Sequence, residues 1–210
     1  MRSYRESCGI AHALDVIGER WAGLVVRELL LGPKRFADLA ADLPGASASV
    51  LTDRLRELQD RGVVNRRLAG PPARVQLYEL TPWGARLGPV LTALGDWALD
   101  SPTLDPELPM SDDAAALSLS TYFVSGDPGW NAECELRIGR GTFDARVSRG
   151  RLTLERGAAR HPEAILTTGA RSFTRMLGPH PEEPFTPAHA TGDLDQLRKL
   201  LAAVRIGASA

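Results

Sequence analysis

The residues of this chain that could do chemistry are mostly arginines and hydroxyls. From Ser47 to Arg67 it carries Ser47, Ser49, Thr52, Asp53, Arg54, Arg56, Arg66 and Arg67, with Lys34-Arg35 upstream and Arg74 just downstream. Guanidinium and hydroxyl groups suit phosphate oxygens and base edges, and Asp53 can accept from the N4 amine of cytosine. Lys34-Arg35 precedes a short helical segment, where a phosphate would meet a helix N-terminus. Other chemistries lack their parts. His12, His161, His180 and His189 are scattered, with no His-x-x-x-His pair and no acid at metal-ligand spacing, and no glycine-rich nucleotide motif is present. The chain is therefore expected to be no enzyme and to hold no metal or cofactor. Two cysteines, Cys8 and Cys134, cannot build a disulfide framework.

The elements that would aim these groups follow from apolar spacing. Ile10, Leu14, Ile17 and Trp21 form one helical stripe, interrupted at Gly18, and a second helix is expected from about Arg20 to Leu31, ended by Gly32-Pro33. A short helix over Phe36 to Ala41 and a Leu43-Pro44-Gly45 turn precede a helix from Ser47, its N-cap, to Asp60. Val50, Leu51, Leu55 and Leu58 of that helix are expected in the core, which leaves Ser47, Ser49, Thr52, Asp53 and Arg56 outward and Arg54 near the edge. After Gly62 the period becomes that of strands, Val63–Leu68 and Val75–Leu80, so that Arg66, Arg67 and Arg74 flank a hairpin tip. Thr81-Pro82 then starts a helix on which Trp83, Leu87, Val90, Leu94 and Trp97 make a heptad seam, the pattern of a helix that packs on another. Helix, turn, helix and hairpin in this order is a winged helix-turn-helix, with the Ser47–Asp60 helix directed at a major groove.

At the scale of the whole chain, 210 residues allow one large domain or two small ones, and 43% apolar content is enough for a real core. The net charge of -1 provides no global basic field, so contact with nucleic acid must rest on a local surface. No signal-peptide h-region or membrane-length apolar run occurs, so a cytoplasmic location without membrane association is expected. Prolines 102, 106 and 109 mark a linker. The expected division is 1–100 for a DNA-binding and dimerisation domain, 101–112 for the linker and 113–210 for a second, α+β domain.

Four motifs carry a resemblance. Gly18-Glu19-Arg20-Trp21, Gly32-Pro33-Lys34-Arg35-Phe36, Leu51-Thr52-Asp53-Arg54-Leu55-Arg56-Glu57-Leu58 and Tyr78-Glu79-Leu80-Thr81-Pro82-Trp83-Gly84 occur in order and make the stretch from Cys8 to Trp97 similar to the HxlR family of bacterial transcription regulators. The resemblance implies a homodimer on a pseudopalindromic operator in double-stranded DNA. Its interface is formed by the first helix, through Ile10, Leu14 and Ile17, and the helix after the wing, through Trp83, Leu87, Val90, Leu94 and Trp97. Two departures stand out: Ser49 replaces a residue that is often basic in the family, and Asp53 stands where Gln is common. The wing segment, Pro71-Pro72-Ala73-Arg74, is about one residue longer than is usual in the family. Cys8 falls where the family frequently has a cysteine, which in some members senses oxidants or electrophiles.

In the second half, strands around Cys134–Ile138, Phe143–Val147 and Leu152–Leu154 are followed by Ala164–Thr168, a helix with Phe173, Met176 and Leu177, and a last helix after Gly192 with Leu194, Leu197, Leu201 and Val204. This order resembles the sterol-carrier lipid-binding domain. The resemblance implies an apolar small-molecule effector between sheet and helices, against Trp130, Phe143, Leu152, Leu154, Ile165, Phe173, Met176, Leu177, Leu197 and Leu201, with Arg171 or Arg175 as a polar anchor. The overall expectation is an α+β chain, a winged helix-turn-helix followed by a sterol-carrier-like domain. The competing reading is a lipid-binding or interaction protein whose N-terminal domain is only a dimer scaffold.

Overall fold

Gly18 ends the first helix, and three residues later the backbone at Trp21 takes a left-handed conformation, φ 78°. This bend lets the Trp21 ring lie over Gly45, where any Cβ would stand 2.6 Å from the ring. The computed structural model describes residues 3–70, 75–124, 127–178, 181–183 and 185–205. The chain forms two compact units, Met1–Gly95 and Asp96–Ala210.

The first unit runs α1 (Gly9–Ile17), α2 (Ala22–Leu29), α3 (Phe36–Asp42), α4 (Ala48–Asp60), β1 (Val64–Leu68), β2 (Gln76–Leu80), α5 (Pro82–Ala85) and the start of α6 (Leu87–Leu99). Leu51, Leu55 and Leu58 of α4 join Val25, Val26, Leu29, Leu39 and Val63 in one core. Val50, expected in that core, is exposed instead. One residue before Leu51 is about 100° round a helix, which takes it off the buried stripe. Ser47 caps α4 as expected, its Oγ accepting the Val50 N–H at 3.3 Å. Strands β1 and β2 pair antiparallel from Val64 opposite Leu80 to Leu68 opposite Gln76. Thr81 caps α5, accepting the Gly84 N–H at 2.9 Å, and Gly84 lies so close to Val63 that a Cβ would stand 2.1 Å from its carbonyl oxygen. The helix expected to run unbroken through Trp83 and Trp97 is divided at Arg86 into α5 and α6.

Lys34 exchanges both backbone hydrogen bonds with Tyr78, at 3.0 and 2.8 Å, adding an isolated bridge to the hairpin. Its ammonium lies 2.7 Å from Glu28 Oε2 and 2.6 Å from Asp42 Oδ2, while Arg27 holds the other Glu28 oxygen at 2.7 Å. With Lys34 at 2% exposure and Glu28 at 0%, a buried ion network fastens α2 and α3 to the wing.

The second unit contains α7 (Asp112–Tyr122), β3 (Ala132–Ile138), β4 (Gly141–Ser148), β5 (Arg151–Arg156), β6 (Ala164–Thr168), α8 (Ala170–Arg175), β7 (Ala190–Gly192) and α9 (Leu194–Ala202). The strands form one sheet in the order β5-β4-β3-β6-β7, with β3 and β6 parallel and the other neighbours antiparallel. Alternation puts Cys134, Leu136, Ile138, Phe143, Ala145, Val147 and Leu166 on a buried face, with α7 and α9 packed on the sheet. Helix α7 was not foreseen. It buries Ala115, Ala116 and Leu119 rather than a leucine stripe, although its Ser111 N-cap and the acids Asp112 and Asp113 in its first turn are start signals. Asp113 is buried against the Arg156 guanidinium. Between α6 and α7, Glu107 accepts from the guanidinium groups of Arg171 and Arg175.

Candidate nucleic-acid interface

With its leucines in the core, α4 turns Ser49, Thr52, Asp53 and Arg56 away from it. Ser47 Oγ lies 3.0 Å from Ser49 Oγ, and Thr52 Oγ1 donates to the Ala48 carbonyl at 2.7 Å, so these hydroxyls keep lone pairs for an incoming donor. Arg56 is 68% exposed and lies 2.9 Å from Asp53. Arg54 sits lower on the helix, half-buried, 2.5 Å from Glu57 and 3.8 Å from Glu19. Val50 is exposed at the flank of this face, on the same side of α4 as Arg54. Sequence reasoning missed it by assigning it to the core; its offset from the leucine stripe was the available signal.

On the hairpin, Arg66 donates to Gln76, its guanidinium 5.7 Å from the Tyr78 ring centre, and Arg67 Nε lies 2.5 Å from Glu79 Oε2. Leu68 is exposed near the tip. Arg74 lies outside the described residues. Arg35 is exposed at the start of α3, its N–H donating to Asp38 at 3.1 Å. The expected phosphate clamp at Lys34 is corrected: its ammonium is buried between Glu28 and Asp42, where no phosphate can approach it.

The net charge of -1 conceals a division between the units. Met1–Gly95 holds 13 Lys and Arg against 10 Asp and Glu, whereas Asp96–Ala210 holds 12 against 16. The basic surplus is therefore on the unit that carries α4 and the hairpin.

In α1, α5 and α6 the apolar stripes are uncovered. Ile10 is 73% exposed and Trp97 75%; Leu14, Trp83, Val90 and Leu94 are also exposed, while Ile17 and Leu87 pack partly against the core. None of the 13 residues of α6 is buried. Cys8 occupies the N-cap position of α1, where the backbone N–H groups of Ala11 and Ile10 hold its thiol below the usual pKa. Cys134 is the opposite case: burial, then Glu163, Asp193 and Glu133, push its thiol up to about 12.

In the second unit, Trp130, Phe143, Leu154, Phe173, Met176, Leu177, Leu197 and Leu201 are buried, and Leu152 is half-buried. Ile165 does not join them. Its register with Glu135 places it on the opposite sheet face from Leu166, because successive strand residues alternate. Trp130 donates to Gln196 at 2.9 Å, stacks on Phe123 and carries Lys199 Nζ 4.6 Å from its ring centre. A cavity of about 520 Å³ opens where Glu133, Asp144, Arg146, Glu155, Arg160 and His161 gather, and none of the ten expected apolar contacts lines it. Arg171 and Arg175, the expected polar anchors, are both paired with Glu107. Among the described residues no His, Cys, Asp and Glu set is placed to hold a metal, and no helix is long and apolar enough to cross a membrane.

The profile of the HxlR-like helix-turn-helix family matches residues 16–103. The uncharacterized HTH-type transcriptional regulator YvaP of Bacillus subtilis (strain 168) is 40% identical over 89 residues, which cover 42% of this chain and 82% of that protein. The HTH-type transcriptional regulator YodB of the same organism is 37% identical over 87 residues, 41% of this chain and 77% of that protein. Among solved structures, the redox regulator HypR in its oxidized form is 30% identical, with a TM-score of 0.43 over 46% of this chain and all, 100%, of that one.

Proposed function

Since the chain belongs to the HxlR-like helix-turn-helix family, and so is a transcription regulator of that type, we propose that it acts as a homodimer on a pseudopalindromic operator. The two α4 helices enter successive major grooves, with Ser47, Ser49, Thr52, Asp53, Arg54 and Arg56 facing base edges and phosphates. Arg35, Arg66, Arg67 and Arg74 meet the flanking backbone. The reading rests above all on α4, whose leucines are buried in the core while its hydroxyls and Arg56 remain outside. The exposed stripes of α1 and α6 support pairing of two copies, since apolar surface of this kind marks an interaction site.

The test is fluorescence anisotropy with duplexes tiled across the DNA upstream of the coding sequence, combined with light scattering to count copies. One tile should bind a dimer with salt-sensitive affinity, because phosphate contacts release counterions. Arg56→Ala should weaken it by about 1–3 kcal/mol if Arg56 reads a base edge. A monomer, or a protein that ignores every tile in dilute salt, would sink the proposal.

Two finer readings accompany it. The second unit is sterol-carrier-like and takes an apolar effector between sheet and helices; the order of its strands and its last helix supports this. Effector control requires different affinity for two dimer arrangements. Mass spectrometry of the co-purified protein should find an apolar molecule whose removal changes operator affinity. Cys8 is the oxidant- or electrophile-responsive thiol, supported by its half-buried position at a helix start and its lowered pKa.

A further inference from the structure

The arginines of the α4 and hairpin face already hold carboxylates. Arg56 Nη2 lies 2.9 Å from Asp53 Oδ1 one turn back on α4, and Arg67 Nε lies 2.5 Å from Glu79 Oε2 across the hairpin. Arg66, by contrast, rests on neutral Gln76 and the Tyr78 ring. A carboxylate engages guanidinium through the same charge-assisted hydrogen bonds as a phosphate. Asp53 and Glu79 thus each take one guanidinium N–H and part of the positive charge that a DNA strand would use. Arg56 and Asp53 are 68% and 51% exposed at the side chain and Arg67 and Glu79 46% and 30%, so water and salt screen the first pair strongly and the second in part.

We propose that Asp53 and Glu79 are internal counter-charges that engage Arg56 and Arg67 in the free protein and restrain binding to arbitrary DNA. The inference rests on the DNA-facing reading of α4 and the hairpin. When phosphate displaces either carboxylate, the freed acid stays beside the DNA and repels it, cancelling part of what the arginine contributes. The restraint weakens binding to every duplex that meets these arginines through phosphate; an operator still has base contacts to keep its affinity useful, whereas arbitrary DNA has little else to offset the loss. The alternative role for Asp53, accepting from a cytosine amine, demands the opposite sign on substitution.

The experiment uses the 210-residue chain with Asp53→Asn, Glu79→Gln and both together. Each is titrated by anisotropy against a random-sequence duplex of about 30 base pairs, which needs no knowledge of the operator. Far-UV circular dichroism and thermal melts check folding. Each neutral variant should bind the random duplex about three- to tenfold tighter near 50 mM KCl, and the salt slope should steepen by up to about one per pair. Wild-type affinity or weaker in native-like variants overturns the proposal, and a loss confined to Asp53→Asn assigns that residue to base reading. If wild type and double variant both ignore DNA at about 20 mM KCl, the DNA-facing reading itself fails.

Discussion

At Lys34 the ammonium has two carboxylates, Glu28 Oε2 at 2.7 Å and Asp42 Oδ2 at 2.6 Å, and almost no water around it. Replacing it with Met leaves two acids facing each other without their common cation, and breaking a buried pair in this way costs about 3–5 kcal/mol. Lys34→Met should show that loss in urea unfolding. The cysteines give a second expectation, in opposite directions. Cys8, with its thiol held down by two backbone N–H groups, should be alkylated with a pH profile that inflects below the ordinary 9.0. Cys134 keeps its proton up to about 12 when folded, whereas the unfolded chain releases it near 9.0. The folded state therefore binds more protons in that window, and its contribution to stability falls as pH rises through it. Cys134→Ala should flatten the decline in urea midpoint above about pH 9, a window set by that shift.

Among the elements, α6 has apolar residues that the core does not explain. Its apolar residues Val90, Leu94 and Trp97 face solvent in the single chain, so a charge placed there leaves the core untouched. Leu94→Asp should give a folded monomer by light scattering, with operator affinity reduced at least tenfold because each half-site must then bind alone. An unchanged dimer would remove α6 from the interface. Helix α4 poses the complementary case, a buried row of leucines beneath a polar outer side, joined to a hairpin whose position is fixed by the Lys34–Tyr78 bridge. The expected phosphate contact at Lys34 and the expected core site at Val50 both fail on this geometry.

Across the whole molecule, charge is partitioned rather than absent, with a surplus of three positive charges in the first unit and of four negative charges in the second, from 13 against 10 and 12 against 16. Affinity for DNA should therefore depend on salt despite the near-neutral total. With about four net phosphate contacts per dimer, raising KCl from about 50 to 200 mM should weaken binding roughly a hundredfold. A flat response would mean that α4 and the hairpin do not meet phosphate. Much of this organisation was legible in advance. Ser47 and Thr81 announced helix starts, Leu51, Leu55 and Leu58 gave the core side of α4, and strand alternation gave the buried face of the second sheet. Helix α7 was not, since alanines bury area without making a pattern, and neither was the side on which Ile165 falls.

The amino-acid order by itself determined most of the elements, the motif sequence from Trp21 to Gly84 and the supply of arginines, because periodicity, caps and turns act over a few residues. Only the tertiary structure decided which cations remain available. Ion pairing is settled by where side chains from separate elements converge: Lys34 is held between Glu28 on α2 and Asp42 on α3, Arg67 faces Glu79 across the hairpin, and Arg66 meets no acid among the described residues.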